Sequence, residues 1–465
     1  MSIDAVAVIM AGGKGTRMRS AVPKLLHPIC GRPMLAWPLK AASESAAGRI
    51  VVIVPPDSQY DSLIPSDALT VVQPTQDGTG GAARSASDAI LGHETTLVLS
   101  GDNAAITAEL LDDLLDTHLK TGAAATMVTM DLDDPSGYGR VRRFPDGSVD
   151  RVIETKKPGD ATEADLAICE VNAGIYAFET ARLLDALGRI SSDNAQSEYY
   201  LPDVLPLMRA DGHSIAAYMA PDPHLTLGIN DRLDLAAAEA EARRRILERH
   251  MLAGVTVVDP ASTWIDAEVE IAPDARIEPG TSLRGRTIVG SGSTVGPLST
   301  LTDTTLGSNV SVLHSYLVEC KAGDGAQIGP FAYLRPDAEL ASGAKAGSFV
   351  EVKNSRIGEG AKVPHLAYVG DAEIGAGSNL GAGTITANYD GFRKNRTTIG
   401  ENARIGVDTM LIAPVEVGDG AYTGAGAVIK SDVPEGALAV SENEQRNIEG
   451  YAARKAAKMQ EEQTP

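Results

Sequence analysis

The chain is 465 residues long, more than one core of roughly 100–200 residues requires, and two domains account for it. Its formal net charge of −21 argues against general binding to nucleic acid or anionic membrane, so an anionic substrate requires a local basic pocket. Aromatic residues are only 4% of the chain while glycines number 47, so something other than aromatic packing builds part of the core.

The first half alternates short apolar runs with helix-like stretches. Ala5–Ile9, Ile50–Val54 and Thr95–Leu99 are rich in branched residues and read as buried parallel strands. Pro33–Ala47 and Gly80–Leu91 carry helical spacing, so an α/β, Rossmann-like doubly wound sheet is predicted over residues 1–231, with ligands at the strand carboxyl ends. An amphipathic linker helix is expected over 232–253 and ends at Gly254. The start, Met1-Ser2-Ile3-Asp4, has no basic leader, and no apolar stretch approaches the roughly 18 residues of a membrane span, so a cytoplasmic location is expected. Cys30, Cys169 and Cys320 have no metal-ligand spacing and read as small buried hydrophobes.

Past Gly254 the period changes. Ile277, Leu283, Val289, Val295 and Leu301 follow at steps of six, and so do Ile399, Ile405, Leu411, Val417, Thr423 and Ile429. No helix has that period, but one side of a triangular coil does: the aliphatic points inward, and Gly or Asn takes the corner. Residues 254–440 are therefore predicted to form a parallel β-helix, followed at 441–465 by a short helix and frayed end. Thr386 and Ile399 stand thirteen apart, so an irregular insertion at 388–396 interrupts the coil, and such insertions usually carry function.

Chemistry concentrates first at Met10-Ala11-Gly12-Gly13-Lys14-Gly15-Thr16-Arg17-Met18, directly after the first strand, with Pro23-Lys24 following. Glycines let backbone N–H groups approach a polyphosphate, and Lys14, Arg17 and Lys24 supply charge to bind it and stabilise a leaving pyrophosphate. From Ala5 to Ser43 there are six Lys or Arg and no Asp or Glu, which makes the local basic pocket that the overall charge demands. This combination resembles the signature of sugar-phosphate nucleotidyltransferases. The resemblance implies that Ala11, Gly12, Gly13, Lys14, Gly15 and Lys24 bind UTP and that Arg17 and Lys24 act in catalysis. Gln73, Gln76, Gly78 and Thr79 would read uracil, and Gly139, Glu154, Asn172 and Asn230 would hold the sugar nucleotide. Asp102 and Asn230 would bind Mg²⁺, whose hard oxygen ligands such residues supply. Two positions depart from the family: Asn103-Ala104-Ala105 stands where Asp102 is usually followed by one residue and Pro-Leu, and Gly81 replaces a usual His.

The hexapeptide half resembles the left-handed β-helix acyltransferases, in particular those acting on glucosamine-1-phosphate, which are trimeric. On that resemblance His365 is the catalytic base, since imidazole suits proton transfer near neutral pH. Arg335, Lys353, Tyr368, Asn379 and Lys394 would bind the acceptor sugar phosphate with Glu351 near its amine, and Ala382, Asn388, Tyr389, Val407 and Ala425 would face acetyl-CoA. Both halves together, over roughly residues 5–450, resemble the bacterial uridyltransferase–acetyltransferases that make UDP-N-acetylglucosamine. A single-function nucleotidyltransferase with a structural coil gives no reason for His365 or the Lys394 insertion, and a non-catalytic scaffold none for the basic loop.

Overall fold

The computed structural model describes residues 4–13, 15–153, 155, 161–193, 197–226, 228–441 and 447–461. Contacts divide the chain into two units, Met1–Arg249 with Ile265–Glu268, and His250–Trp264 with Val269–Pro465. No helix among the described residues is long and apolar enough to cross a membrane.

In the first unit the apolar runs become β1 (Ala5–Met10), β2 (Arg49–Val54), β3 (Leu69–Val72) and β4 (Thr95–Ser100), joined in chain order by β5 (Ala125–Asp131), β6 (Arg140–Arg143), β7 (Val149–Ile153), β8 (Glu170–Glu179) and β9 (Ile215–Met219). The main path runs β9-β5-β8-β4-β1-β2-β3, and β1 is paired in parallel with both β2 and β4. Being covered on both faces, β1 is apolar throughout, with Val6, Ala7 and Ile9 fully buried. The three runs read as parallel strands pair in parallel, but the sheet as a whole is mixed: β8 runs antiparallel to β4, β5 and β6, and β6 to β7. The chain leaves β5 at Asp131 and re-enters at Glu170 beside it, after the β6–β7 hairpin, so no crossover restores the direction. A bulge between Asn172 and Tyr176 interrupts the β8 ladder near this edge.

The helix expected after Gly80 is split into Thr79–Ser85 and Ser87–Ile90, and the one expected over 33–47 spans Ala36–Glu44. The long helix occupies Arg232–Leu252. It starts where it does because the Asp231 carboxylate accepts the N–H groups of Leu233 (2.8 Å) and Asp234 (3.1 Å). Cys30 and Cys320 are buried as expected, whereas Cys169 is exposed.

The second unit is the left-handed parallel β-helix read from the repeats. Its three sheets hold eleven, ten and nine strands among the described residues, each strand pairing with the one a full coil later. Ile277, Val295, Val312, Ile328 and Ala346 stack up one inner face in register and are all at most 2% exposed. The outer face of the third sheet alternates charge through Lys321, Glu339, Arg356 and Glu373.

The six-residue register slips more often than the sequence analysis anticipated. Inward residues follow only five apart at Leu301–Leu306, Val312–Leu317, Leu317–Ala322, Val352–Ile357 and Val369–Ile374. Each shortened side contains a non-glycine residue in the left-handed region: Asp303, His314, Glu319, Asn354 and Asp371, at φ 48, 44, 45, 45 and 50°. That conformation costs an L-residue about 1–2 kcal/mol. It is offset here by a backbone ladder from coil to coil, as in Glu319 N–H to Thr302 O (2.9 Å) and Asp371 N–H to Lys353 O (3.0 Å). Corners are thus not reserved for Gly and Asn, because the neighbouring coil determines the backbone.

Since the inner stack carries the stability, Leu317→Ala should destabilise the β-helix by about 2–5 kcal/mol. Lys321→Ala, on the outer face of the same coil and paired with Glu339 across 3.5 Å of solvent-exposed surface, should change it by less than about 0.5 kcal/mol. Denaturant melts of the two variants provide the comparison.

Candidate active sites

At the carboxyl ends of β1 and β4 lies a cavity of about 700 Å³. It is lined by Gly12, Gly13, Gly15, Arg17, Lys24, Gln73, Gln76, Gly78, Thr79, Asp102, Asn172 and Asn230 from the sequence-derived set. Ala11 is fully buried behind it, its N–H bonded to Ile53 O at 2.7 Å, and Gly139 is set back but accepts the Asn172 N–H at 2.9 Å. Lys14 and Glu154 lie outside the described residues.

The central contact is Lys24 Nζ to Asp102 Oδ2 at 2.5 Å, with the Ser100 hydroxyl donating to Asp102 Oδ1 at 2.5 Å. Alongside it Arg17 donates to Asn230 Oδ1 at 2.8 Å. Two cations therefore stand on the two oxygen-bearing residues read as magnesium ligands. Gly15 makes the approach of Lys24 possible: at φ 59° a Cβ there would lie 2.5 Å from Lys24 Cβ.

The Asn103-Ala104-Ala105 departure has a structural answer. Asn103 is 2% exposed and its amide donates to Thr226 O at 3.1 Å, while Ile229 N–H donates to Asp102 O at 3.3 Å. The loop bearing Asp102 is thereby tied to the segment bearing Asn230, and the Asn230 N–H donates in turn to Asp234 Oδ2 in the first turn of the long helix (2.8 Å). Burial, then the Asp234 carboxylate, raises the Tyr138 phenol above its ordinary pKa, so this pocket-lining hydroxyl stays protonated. Ser100, Tyr138, Glu198 and Tyr200 line the cavity without having been singled out in the sequence. Glu198 and Tyr200 come from a segment with no motif, and only the fold carries it there: Tyr199 N–H donates to Asp77 O at 2.7 Å.

In the β-helix the residues read as acceptor-binding fall on neighbouring coils. Tyr333, Glu351 and Tyr368 are consecutive register partners on one sheet, and Arg335 donates to Glu351 Oε1 at 2.8 Å. Lys353 lies 3.3 Å from both carboxylate oxygens of Asp371, which also accepts from Asn354 (2.6 Å) and from Asn388. Burial pushes the Asp371 carboxyl up, but hydrogen bonds from Asn354, Asn388 and Lys353 outweigh it and hold the group below the usual carboxylate range. The Lys353 ammonium depresses the neighbouring exposed Lys394 below its ordinary pKa. Two adjacent cations beside a polar wall suit a phosphate dianion.

His365 ends the strand Lys362–His365, exposed and in register with Ser348. Asn379 pairs with Lys362 at the head of that strand, one coil on. The insertion is a small hairpin closed by the Tyr389–Lys394 bridge and by Asn395 N–H to Asn388 O at 2.7 Å. Ala382, Val407 and Ala425 fall on one corner of successive coils, linked by Asp408 N–H to Ala382 O (2.7 Å) and Gly426 N–H to Val407 O (2.8 Å). Asp371 carries no signal in the sequence, since nothing local distinguishes it from any other corner residue.

Residues 7–197 match the MobA-like NTP transferase domain family, and residues 396–431 match the bacterial transferase hexapeptide family of six repeats. Over 462 residues the chain is 48% identical to the bifunctional protein GlmU of Mycobacterium marinum, covering 97% of this chain and 93% of that one. It is 47% identical to the GlmU of Mycobacterium tuberculosis strain H37Ra over the same span. With the GlmU of Corynebacterium efficiens the identity is 46% over 461 residues, covering 97% and 94% of the two chains. With a nucleotidyltransferase cavity at the end of a Rossmann-like sheet, a hexapeptide coil following it in the sequence, and relatives matched over 97% of its length, the chain belongs to the family of bifunctional GlmU transferases.

Proposed function

We propose that the chain performs two consecutive steps of UDP-N-acetylglucosamine synthesis: the β-helix acetylates glucosamine-1-phosphate with acetyl-CoA, and the sheet domain joins the product to UMP from UTP. The observation that carries this reading is the convergence of Arg17, Lys24, Asp102 and Asn230 on one cavity, in a chain whose relatives match it through both halves.

In the uridylyl step, a phosphate oxygen of N-acetylglucosamine-1-phosphate attacks the α-phosphorus of UTP, the bond from that phosphorus to the bridging oxygen breaks, and pyrophosphate leaves. Alignment and charge neutralisation are what such a displacement asks of the protein. Lys24 and Arg17 provide charge at the phosphates, and Gln73 and Gln76 sit at the base end. Asp102 and Asn230 offer the carboxylate and amide oxygens that suit Mg²⁺ with its few protein ligands, and the ion would neutralise triphosphate charge there. In the acetyl step the His365 imidazole takes a proton from the glucosamine ammonium. The free amine attacks the thioester carbonyl, the carbon–sulfur bond breaks, and the departing CoA sulfur takes up the second amine proton, leaving as the thiol. Arg335, Lys353 and Lys394 hold the phosphate, and Tyr368 and Asn379 the sugar, while Ala382, Asn388, Tyr389, Val407 and Ala425 form the acetyl-CoA side.

A trimer in the cytoplasm completes the reading. It is supported by a ridge of exposed apolar side chains down one corner of the coil, where Phe331 and Phe349 stack at 5.2 Å and Leu366 continues the row. A mass measurement in solution should return three chains, and Phe349→Glu should shift it toward one.

Pyrophosphate release from UTP and N-acetylglucosamine-1-phosphate with Mg²⁺ tests the first site. Lys24→Ala should lower kcat/KM by about 10²–10³-fold, and absence of release by the wild-type protein would refute the assignment. For the second site, free-thiol release from acetyl-CoA with glucosamine-1-phosphate should vanish in His365→Ala while uridylyl transfer persists. Loss of both activities would point to a folding defect.

A further inference from the structure

The cavity holds a device at its base end that goes beyond the assignment of Gln73 as a reader of the base, on which it rests. Gln73 is 3% exposed, and its Nε2 faces two acceptors, Asp77 Oδ1 at 3.1 Å and Gly78 O at 3.4 Å. A primary amide presents donors at one end and an acceptor at the other, and its neighbours decide which end points where. Here both N–H groups are committed, and Oε1 is turned to Gly12, where a Cβ would sit 2.4 Å from it. Gly12 and Gln73 both line the cavity.

Asp77 is itself held from behind. Arg84 approaches Asp77 Oδ2 at 3.7 Å with its guanidinium 4.2 Å over the Tyr199 ring, and Asp77 O accepts the Tyr199 N–H at 2.7 Å. Its carboxylate fills the space opposite Gly81: a Cβ on Gly81 would lie 1.9 Å from Asp77 Oδ1. The glycine at the position where the resemblance led one to expect His is therefore a requirement of Asp77.

We propose that Asp77 is a specificity-determining residue, which locks the Gln73 amide so that the site offers the base a carbonyl oxygen and selects a ring N–H donor. Uracil presents such a donor at N3, between two carbonyls. Cytosine presents a bare acceptor at N3 and meets oxygen with a lone pair. An unlocked glutamine could turn over and accept either edge. The locked one cannot turn without setting Oε1 against the Asp77 carboxylate and the Gly78 carbonyl, two acceptors with no proton between them.

Two variants release the lock in different ways. Asp77→Asn supplies an amide that can donate to Gln73 Oε1, so the glutamine can turn. Gly81→Ala adds a methyl that displaces the carboxylate while favouring the helix Thr79–Ser85. Pyrophosphate release with UTP, dTTP and CTP, each with N-acetylglucosamine-1-phosphate, gives the ratios of kcat/KM. In both variants the UTP-to-CTP ratio should fall by about tenfold or more. The UTP-to-dTTP ratio should be unchanged, because thymine carries the same imide edge. Retained turnover of UTP by the same preparations reports that the sheet domain is folded, and acetyl transfer that the β-helix is. A wild-type UTP preference that both variants retain overturns the role of Asp77 and leaves the uridylyltransferase reading intact. Failure of the wild-type protein to turn over UTP overturns both.

Discussion

Parallel pairing aligns β1 with β4 residue for residue, so that Met10 and Ser100 end the two strands side by side, and Gly101 N–H donates to Met10 O at 2.9 Å. The nucleotide site depends on that alignment. The glycine-rich loop leaves one strand and Asp102 leaves the other at the same height, which places Lys24 within 2.5 Å of a carboxylate 78 positions away. A one-residue slip would turn alternate side chains to the opposite face and separate the cation from the anion. Both strands are buried, and the parallel pairing that carries them through the core also sets the positions of the two loops that follow them.

The β-helix applies the same constraint with a shorter repeat. Each strand is only two to four residues long, yet each takes its register from the coil below through an inward aliphatic and a backbone ladder. The outward side chains then form columns whose members come from different coils, and Tyr333, Glu351 and Tyr368 are one such column. A buried carboxylate at a corner, Asp371, ties three of these levels together by binding Lys353, Asn354 and Asn388. Removing one partner from a buried charged network leaves the rest uncompensated, so such a group rigidifies what surrounds it.

Both departures from the family pattern in the first domain are compensated in space. Where Ala104-Ala105 replaces the usual Pro-Leu, the neighbouring Asn103 ties the loop to Thr226 by a buried amide hydrogen bond. Gly81, in place of an expected imidazole, leaves room for the Asp77 carboxylate. Neither substitution reads as neutral along the chain, since each partner becomes adjacent only after folding.

By itself the sequence determined the two architectures, the helix at Arg232–Leu252 and the basic loop, because apolar periodicity, helix caps and glycine spacing act over a few residues. It also pointed to twelve of the residues lining the first-domain cavity, five of them because a glycine-rich loop and its cations lie within one short segment. The tertiary structure decided the antiparallel course of β8, the five-residue sides of the coil, and the partners of Asp77, Asn103 and Asp371. Those features follow from contacts between distant segments: the fold, and no local preference, sets which acceptor faces an amide or which coil lies beneath a corner.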